Sequence, residues 1–282
     1  MDLIFILKAV LIAVVEGITE FIPVSSTGHM ILVGWAIGFK GEFAKMFEVV
    51  IQLGAIMAVV VLYWGKIEES IRDFLKFIIT RGREGKTGFR FGINVITASI
   101  PMAVVGVLFY DKIKSKFVPE AVILGFIVGG FLLIIIEKVY RNKAHRVESL
   151  DNITVMQAFK VGVLQLLAVW PGMSRSASTI MGGWVAGLST AAAAEFSFFI
   201  AIPAMVGSSA KDLFEFDFSI MTGTLWVSLA VGFIVAFIVA LIVIKKFIDY
   251  LKKKPMKVFA VYRIAAGTLL GILVLTNIIT LT

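Results

Sequence analysis

Residues 16–29 read Glu-Gly-Ile-Thr-Glu-Phe-Ile-Pro-Val-Ser-Ser-Thr-Gly-His. Two carboxylates, the hydroxyls of Ser25, Ser26 and Thr27, and one of only two histidines in the chain fall within this window. The flanking sequence is apolar enough to enter a bilayer. An ionisable group costs roughly 2.5–3.5 kcal/mol at membrane depth, so its default reading there is functional. Glu16 and Glu20 stand four apart, so a helix puts them on one face, about one turn from each other. Like charges that close repel unless a proton or a cation intervenes. Magnesium, a hard ion held by one or two carboxylates plus substrate phosphates, fits this pair. Headgroup-facing glutamates at a helix end are the plainer alternative, but the Pro23, Ser25, Ser26, His29 sequence that follows argues against it.

Residues 171–179, Pro-Gly-Met-Ser-Arg-Ser-Ala-Ser-Thr, form a second polar interruption. A helix beginning near Ser176 would aim free N–H groups back at the turn, which suits an anion. Ser174, Ser176, Ser178 and Thr179 add hydroxyl donors. Arg175 adds a planar fork suited to phosphate. No Gly-Lys-Ser/Thr follows a strand, so this is not the nucleotide P-loop. A simple helix break with capping serines and a snorkelling arginine is the plain alternative. The two interruptions are complementary: carboxylates that want a metal, and an arginine turn that wants phosphate. Together they make the halves of one phosphoryl-transfer site and offset each other's burial cost.

The elements that must position them are membrane helices. Of the 282 residues, 59% are hydrophobic and 16% charged. Soluble domains carry about 45–50% and about 25%, so the chain reads as an all-α polytopic membrane protein. The net charge of +8 resides in clusters between apolar runs, the pattern of cytoplasmic loops, and does not imply nucleic acid. With no cysteine, thiol chemistry is excluded. Spans are expected over 46–64, 91–110, 121–136, 191–206, 222–244 and 258–281, with a kink at Pro101. Basic loops at 66–90, 138–146 and 245–257 are placed in the cytoplasm, with His145 as a surface residue. The first of them is read either as an amphipathic surface helix over 66–79 or as a solvated loop.

Neither 1–15 nor 30–39 reaches the ~20 residues a spanning helix needs, and 155–170 is likewise short. Each pair of short helices around a break suggests a re-entrant hairpin, since irregular backbone at depth is tolerated only in protein or around a wet cavity. Loop charges make the first hairpin open from outside and the second from the cytoplasm. The expected fold is one membrane domain, 1–282, of two inverted-topology repeats, about 1–138 and about 153–282. It holds six transmembrane helices plus two re-entrant helix-turn-helix hairpins. Superposing Pro23 on Pro171 pairs Ser26 with Ser174. Interrupted segments in matching places of two halves point to a midplane site.

The two interruptions, the Val-Ile-Gln-Leu-Gly-Ala segment at 50–55 and the Tyr262-Arg263 pair together resemble the bacitracin-resistance family of undecaprenyl-pyrophosphate phosphatases, over essentially the whole chain. Ala177 departs from the glycine usual there. The resemblance implies a bacterial inner-membrane enzyme that removes the terminal phosphate of undecaprenyl diphosphate and recycles the sugar carrier of cell-wall synthesis. It also implies Mg2+ or Ca2+ dependence and a site facing the outer, periplasmic side. The expected partners are the prenyl diphosphate and the lipid bilayer, and a homodimer is a possible assembly.

On this reading Glu16 and Glu20 hold the metal. Ser174, Arg175, Ser176, Thr179, Thr27, Gln52 and Arg263 are phosphate contacts, with Arg263 equally readable as an interfacial basic residue. Glu48 and Glu195 either support the cavity or mark span ends. Ser26 is the preferred nucleophile with His29 as its general base. His29 as nucleophile, or an activated water with Ser26 as donor, stays open. A lipid-phosphate transporter or flippase on the same scaffold is the rival from another class, because fold alone does not decide function.

Overall fold

The structure, a computed structural model, describes residues 2–116, 118–141 and 147–276. His145 and the end of the last expected span lie outside the described residues. Among the described residues the secondary structure is helical, in eleven α-helices: α1 Leu3–Thr19, α2 Ser26–Ile37, α3 Glu42–Leu62, α4 Trp64–Ile79, α5 Lys86–Lys114, α6 Pro119–Tyr140, α7 Val155–Gln165, α8 Arg175–Val185, α9 Thr190–Glu215, α10 Gly223–Lys253 and α11 Lys257–Leu275.

Six of these, α3, α5, α6, α9, α10 and α11, contain apolar stretches long enough to cross a membrane. They coincide with the six runs picked out above. α1 has 17 residues, about 26 Å of helix, and α2, α7 and α8 are shorter still. The chain is therefore a multi-pass membrane protein with two helix–break–helix segments, α1–α2 and α7–α8, packed among its spans. Helix α5 runs through the expected kink position, Pro101, with helical φ/ψ, and its one non-helical residue is Phe109 (φ −124°, ψ 17°), at the end of the apolar span. A proline costs one ladder bond, which surrounding helices can compensate.

Helix α10 lies against both α1 and α3, α11 against α6, α5 against α7, and α8 against α9. These contacts bury two apolar clusters. Phe39, Phe43 and Phe47 stack edge-on or tilted with centroids 5.3–6.3 Å apart, on Ala9, Ile12 and Ala13 of α1. The larger cluster gathers Ile180, Met181, Trp184, Phe196, Phe198 and Phe199 with Val59 and Ala240. It surrounds the second break and holds α8 rigidly.

The first basic loop is a helix, α4, and not an irregular loop. Phe77 of α4 stacks on Phe89 at 4.0 Å, while Ile71, Leu75 and Ile79 are exposed. Two of the basic residues there are anchored across the chain. Lys66 Nζ lies 2.6 Å from Asp151 Oδ1, and the Arg90 guanidinium donates to the Asp151 carbonyl. Asn94 Nδ2 donates to Ile153 O at 2.7 Å. These bonds join both ends of the first basic segment to the turn before α7.

Candidate active site

Both breaks end in the same local geometry. Ser25 caps α2 with φ 73° and ψ 95°, and Ser174 caps α8 with φ 70° and ψ 119°. Left-handed backbone is costly for a residue with a Cβ, and such residues cluster at functional sites. Each strained cap is held by a side chain four residues on. His29 Nδ1 is 2.8 Å from Ser25 O, and Ser178 Oγ donates to Ser174 O at 2.8 Å. Each is also preceded, nine residues earlier, by a buried polar residue whose side-chain atoms have no hydrogen-bond partner among the described residues: Glu16 in one case, Gln165 in the other. The caps therefore match Ser25 with Ser174. This shifts by one the register obtained from the prolines, and sets Ser26 opposite Arg175.

The two breaks meet. Arg175 Nη2 lies 2.7 Å from Glu20 Oε1, with the two side chains only 16% and 9% exposed. Ser26 Oγ donates to the other carboxylate oxygen, Glu20 Oε2, at 2.5 Å. Arg175 Nη1 donates to Ser197 O at 3.0 Å and to Ser197 Oγ at 3.3 Å. The guanidinium also sits over the Phe21 ring, 5.9 Å from its centroid. A cation at this depth is thus matched by a carboxylate, a carbonyl and an aromatic face. That is the condition for keeping a buried charge.

A cavity of about 250 Å³ opens on this pair. Glu20, Ser25, Ser26, Thr27, Gln52, Ser174 and Arg175 line it, with apolar walls from Met102, Trp170 and Met205. So six of the expected catalytic and phosphate-contact residues converge from different elements: Glu20, Ser26, Thr27, Gln52, Ser174 and Arg175. Glycine at 172 is required here. Its φ is +85°, and any Cβ would run into the Val122 carbonyl of α6.

The remaining expected site residues lie outside the cavity lining. Ser176 Oγ donates to Ile22 O at 3.1 Å and so ties the second break to the first. Thr179 is fully buried and bonds to Ser197 and to its own helix. Arg263 is also fully buried. Its Nη2 donates to Gly125 O (2.9 Å), Gly172 O (2.8 Å) and Met173 O (3.0 Å), and its Nη1 reaches Pro23 O at 3.4 Å. It clamps the two breaks together from behind, in contact with neither the cavity nor a membrane interface.

His29 also turns from the cavity. Its Nδ1 must carry the proton, because Ser25 O can only accept. Nε2 then accepts the Tyr262 hydroxyl at 2.7 Å, and the two rings stack with centroids 5.7 Å apart. Ser26 finds its acceptor in Glu20 and not in His29.

Glu16 is completely buried one turn before Glu20. Neither of its oxygens has a hydrogen-bond partner among the described residues, and Glu20, Glu48 and Arg175 are its charged neighbours. Orphaned carboxylate oxygens are what a hard cation would satisfy, so Glu16 fits magnesium or calcium as a donor; Glu20, one turn on, could join it only by sharing the oxygens that now hold Arg175 and Ser26. The described residues hold no group of three or more His, Cys, Asp or Glu side chains that could take a metal ion. A cation at this pair would therefore need substrate phosphate and water to complete its shell.

Sequence reasoning passed over Ser197, Met102, Met205 and Ser208. The serines carry no charge in an apolar run, and nothing in their local sequence marks them. The structure shows that Met205 and Ser208 lie on the side of α9 that lines the cavity.

The protein resembles characterised families over nearly its full length. A sequence profile described as bacitracin resistance protein BacA matches residues 9–269. A protein of Clostridioides difficile (strain 630) named undecaprenyl-diphosphatase 2 is 68% identical over 99% of this chain and 98% of its own length. Undecaprenyl-diphosphatases of Clostridium perfringens (strain 13 / Type A) and Clostridium tetani (strain Massachusetts / E88) are 58% and 50% identical, each over 99% of this chain and 99% and 100% of their own. The chain, with its two breaks closed on one cavity, belongs to the bacitracin resistance protein BacA family.

Proposed function

We propose that the protein is a membrane-embedded undecaprenyl-diphosphatase, which hydrolyses undecaprenyl diphosphate to undecaprenyl phosphate and inorganic phosphate. The observation that carries the site is the Arg175–Glu20–Ser26 chain of contacts at one cavity. The relatives described above are named as diphosphatases, and a nucleophile bonded to a carboxylate is of no use to a carrier.

Ser26 attacks the terminal phosphorus, and its proton passes to Glu20 Oε2. The Oγ–P bond forms as the bond from phosphorus to the bridging oxygen breaks, and undecaprenyl phosphate leaves with that oxygen. Water then attacks the phosphoserine: Glu20 returns its proton to the freed Oγ, takes one from the water and releases it to solvent, and inorganic phosphate departs with the water oxygen. Arg175, Ser174, Thr27 and Gln52 bind the non-bridging oxygens. Preorganised donors of this kind are worth about 2.7–4 kcal/mol each in comparable sites. Magnesium or calcium, held by Glu16 and Glu20, supplies further charge neutralisation on the diphosphate. His29 and Arg263 act by holding the two breaks in shape.

The matched caps, the matched i, i+4 locks and the matched orphans Glu16 and Gln165 support two inverted copies with re-entrant hairpins. The loop charges support a bacterial inner-membrane location with the cavity facing outward. The decisive experiment is phosphate release from a C55 diphosphate by purified protein in detergent, with and without chelator. Lipid movement in vesicles that survives Ser26→Ala, without any phosphate release by the parent, would end the phosphatase reading.

A further inference from the structure

Thr179 Oγ1 has a single proton and three close oxygens: Arg175 O at 2.9 Å, Ser176 O at 3.1 Å and Ser197 Oγ at 2.6 Å. Carbonyls only accept; with the Thr179 proton on its own helix, Ser197 donates across the 2.6 Å contact. The lone pairs of Ser197 Oγ are then left to accept from Arg175 Nη1 at 3.3 Å. The bonds close a circuit: guanidinium to Ser197, Ser197 to Thr179, Thr179 back to the Arg175 carbonyl. Ser197 O adds a second acceptor for Nη1 at 3.0 Å.

Ser197 is fully buried and lies outside the cavity lining. It belongs to neither break but to the spanning helix α9. We infer that Ser197, through Thr179, is a positioning residue that fixes the plane of the Arg175 guanidinium for a diphosphate headgroup. A fork recognises phosphate only when its plane is held. Among the described residues no other side chain hydrogen-bonds that edge: Phe21 offers a face, Glu20 binds the opposite nitrogen, and the Ser197 carbonyl shares Nη1 with the hydroxyl. The same helix supplies Ala204, Met205 and Ser208 to the cavity wall, seven to eleven residues on. One element thus sets both the arginine and the wall it faces.

The inference rests on the phosphatase reading for its ligand, and binding can be measured apart from turnover. Isothermal titration with a methylene-bridged prenyl diphosphonate, which cannot be hydrolysed, reports Kd separately from the fraction of folded sites. Ser197→Ala is expected to raise Kd about tenfold, the size of one lost bond to a charged group, at unchanged stoichiometry. Thr179→Val, which opens the circuit from its other end, is expected to do the same. Ser197→Thr, which keeps the hydroxyl, is expected to restore Kd. In an Arg175→Lys background Ser197→Ala should add less than about twofold, the coupling expected of residues acting as a unit. Equal losses in both backgrounds, or a Kd within about twofold of the parent in Ser197→Ala and Thr179→Val, would overturn it. Loss of stoichiometry at unchanged Kd would mean a folding role and also overturn it. A parent that binds the diphosphonate but hydrolyses no prenyl diphosphate would instead remove the proposed function and leave this relation standing.

Discussion

Glu20 Oε1 and Arg175 Nη2 lie 2.7 Å apart although 155 positions separate the residues. One sits at the end of the first short helix and the other at the start of the fourth. The contact makes each break depend on the other: without Arg175 the Glu20 carboxylate is a lone anion at membrane depth, and the reverse holds as well. Removing one partner of a buried pair costs about 3–5 kcal/mol, more than the pair itself contributes. Arg175→Ala is therefore expected to lower both the unfolding midpoint in detergent and phosphate release, the latter by about 10²–10³-fold. Glu20→Gln leaves the guanidinium without its counter-charge but keeps the shape and one hydrogen-bond acceptor, so it should lose activity with a fall in midpoint somewhat smaller than that of Arg175→Ala. Parallel thermal unfolding and phosphate-release measurements on the two variants check this.

His29 provides a sharper separation of roles. Its Nδ1–H closes on the strained Ser25 carbonyl as Ser178 does on Ser174. An asparagine amide places an N–H close to the Nδ1 position. His29→Asn is expected to keep a substantial part of the activity, and His29→Ala to lose most of it. A general-base role would leave both equally inactive. Ser26→Ala should be inactive whatever stands at 29. Mass spectrometry of acid-quenched enzyme should find the trapped phosphate on Ser26 and none on His29.

Much of this site is legible in the sequence, because charge in an apolar run is conspicuous. Glu16, Glu20 and Arg175 stand out that way, and short helices on either side of proline–glycine or proline–serine turns mark both breaks. The six spans follow from their apolar length. The rest depends on reach. Ser26 and His29 are three apart, which a helix places near one face, yet the imidazole points back to its own cap and across to Tyr262. Ser197 is one hydroxyl in an alanine- and phenylalanine-rich helix. Aligning the breaks on their prolines and on their caps gives registers one residue apart, because Pro23 precedes its cap by two positions and Pro171 by three.

The orphaned oxygens of Glu16 bear on the metal. A chelator is expected to abolish phosphate release, and added Mg2+ or Ca2+ to restore it. Glu16→Gln removes the charge but keeps the bulk and one oxygen. It should raise the half-activating metal concentration by about tenfold, toward the lower end of the effects seen when a ligand's surroundings are altered. Its activity at saturating metal should recover substantially. A metal titration of parent and variant decides this, and an unchanged half-activation would remove Glu16 from the ligand set.

Arg263 makes the strongest demand on the fold. A fully buried guanidinium binds carbonyls of Pro23, Gly125, Gly172 and Met173, which belong to the first break, α6 and the second break. Broken helices leave carbonyls without partners, and in lipid no water can serve them. A single cation with five donors serves several at once. Its position is so confined that a methyl group at Gly129 would overlap Nη2. Lysine has one nitrogen on a flexible stem and cannot span the four acceptors. Arg263→Lys should therefore lose at least two charged hydrogen bonds, each worth about 1.5–3 kcal/mol, and Gly129→Ala should mimic it by displacing the side chain. Both variants should unfold at lower temperature and lose activity in proportion to the folded fraction. Their KM should stay near the parent value, because no group that touches substrate has been removed. A KM that rises steeply at normal stability would mean that Arg263 touches phosphate after all.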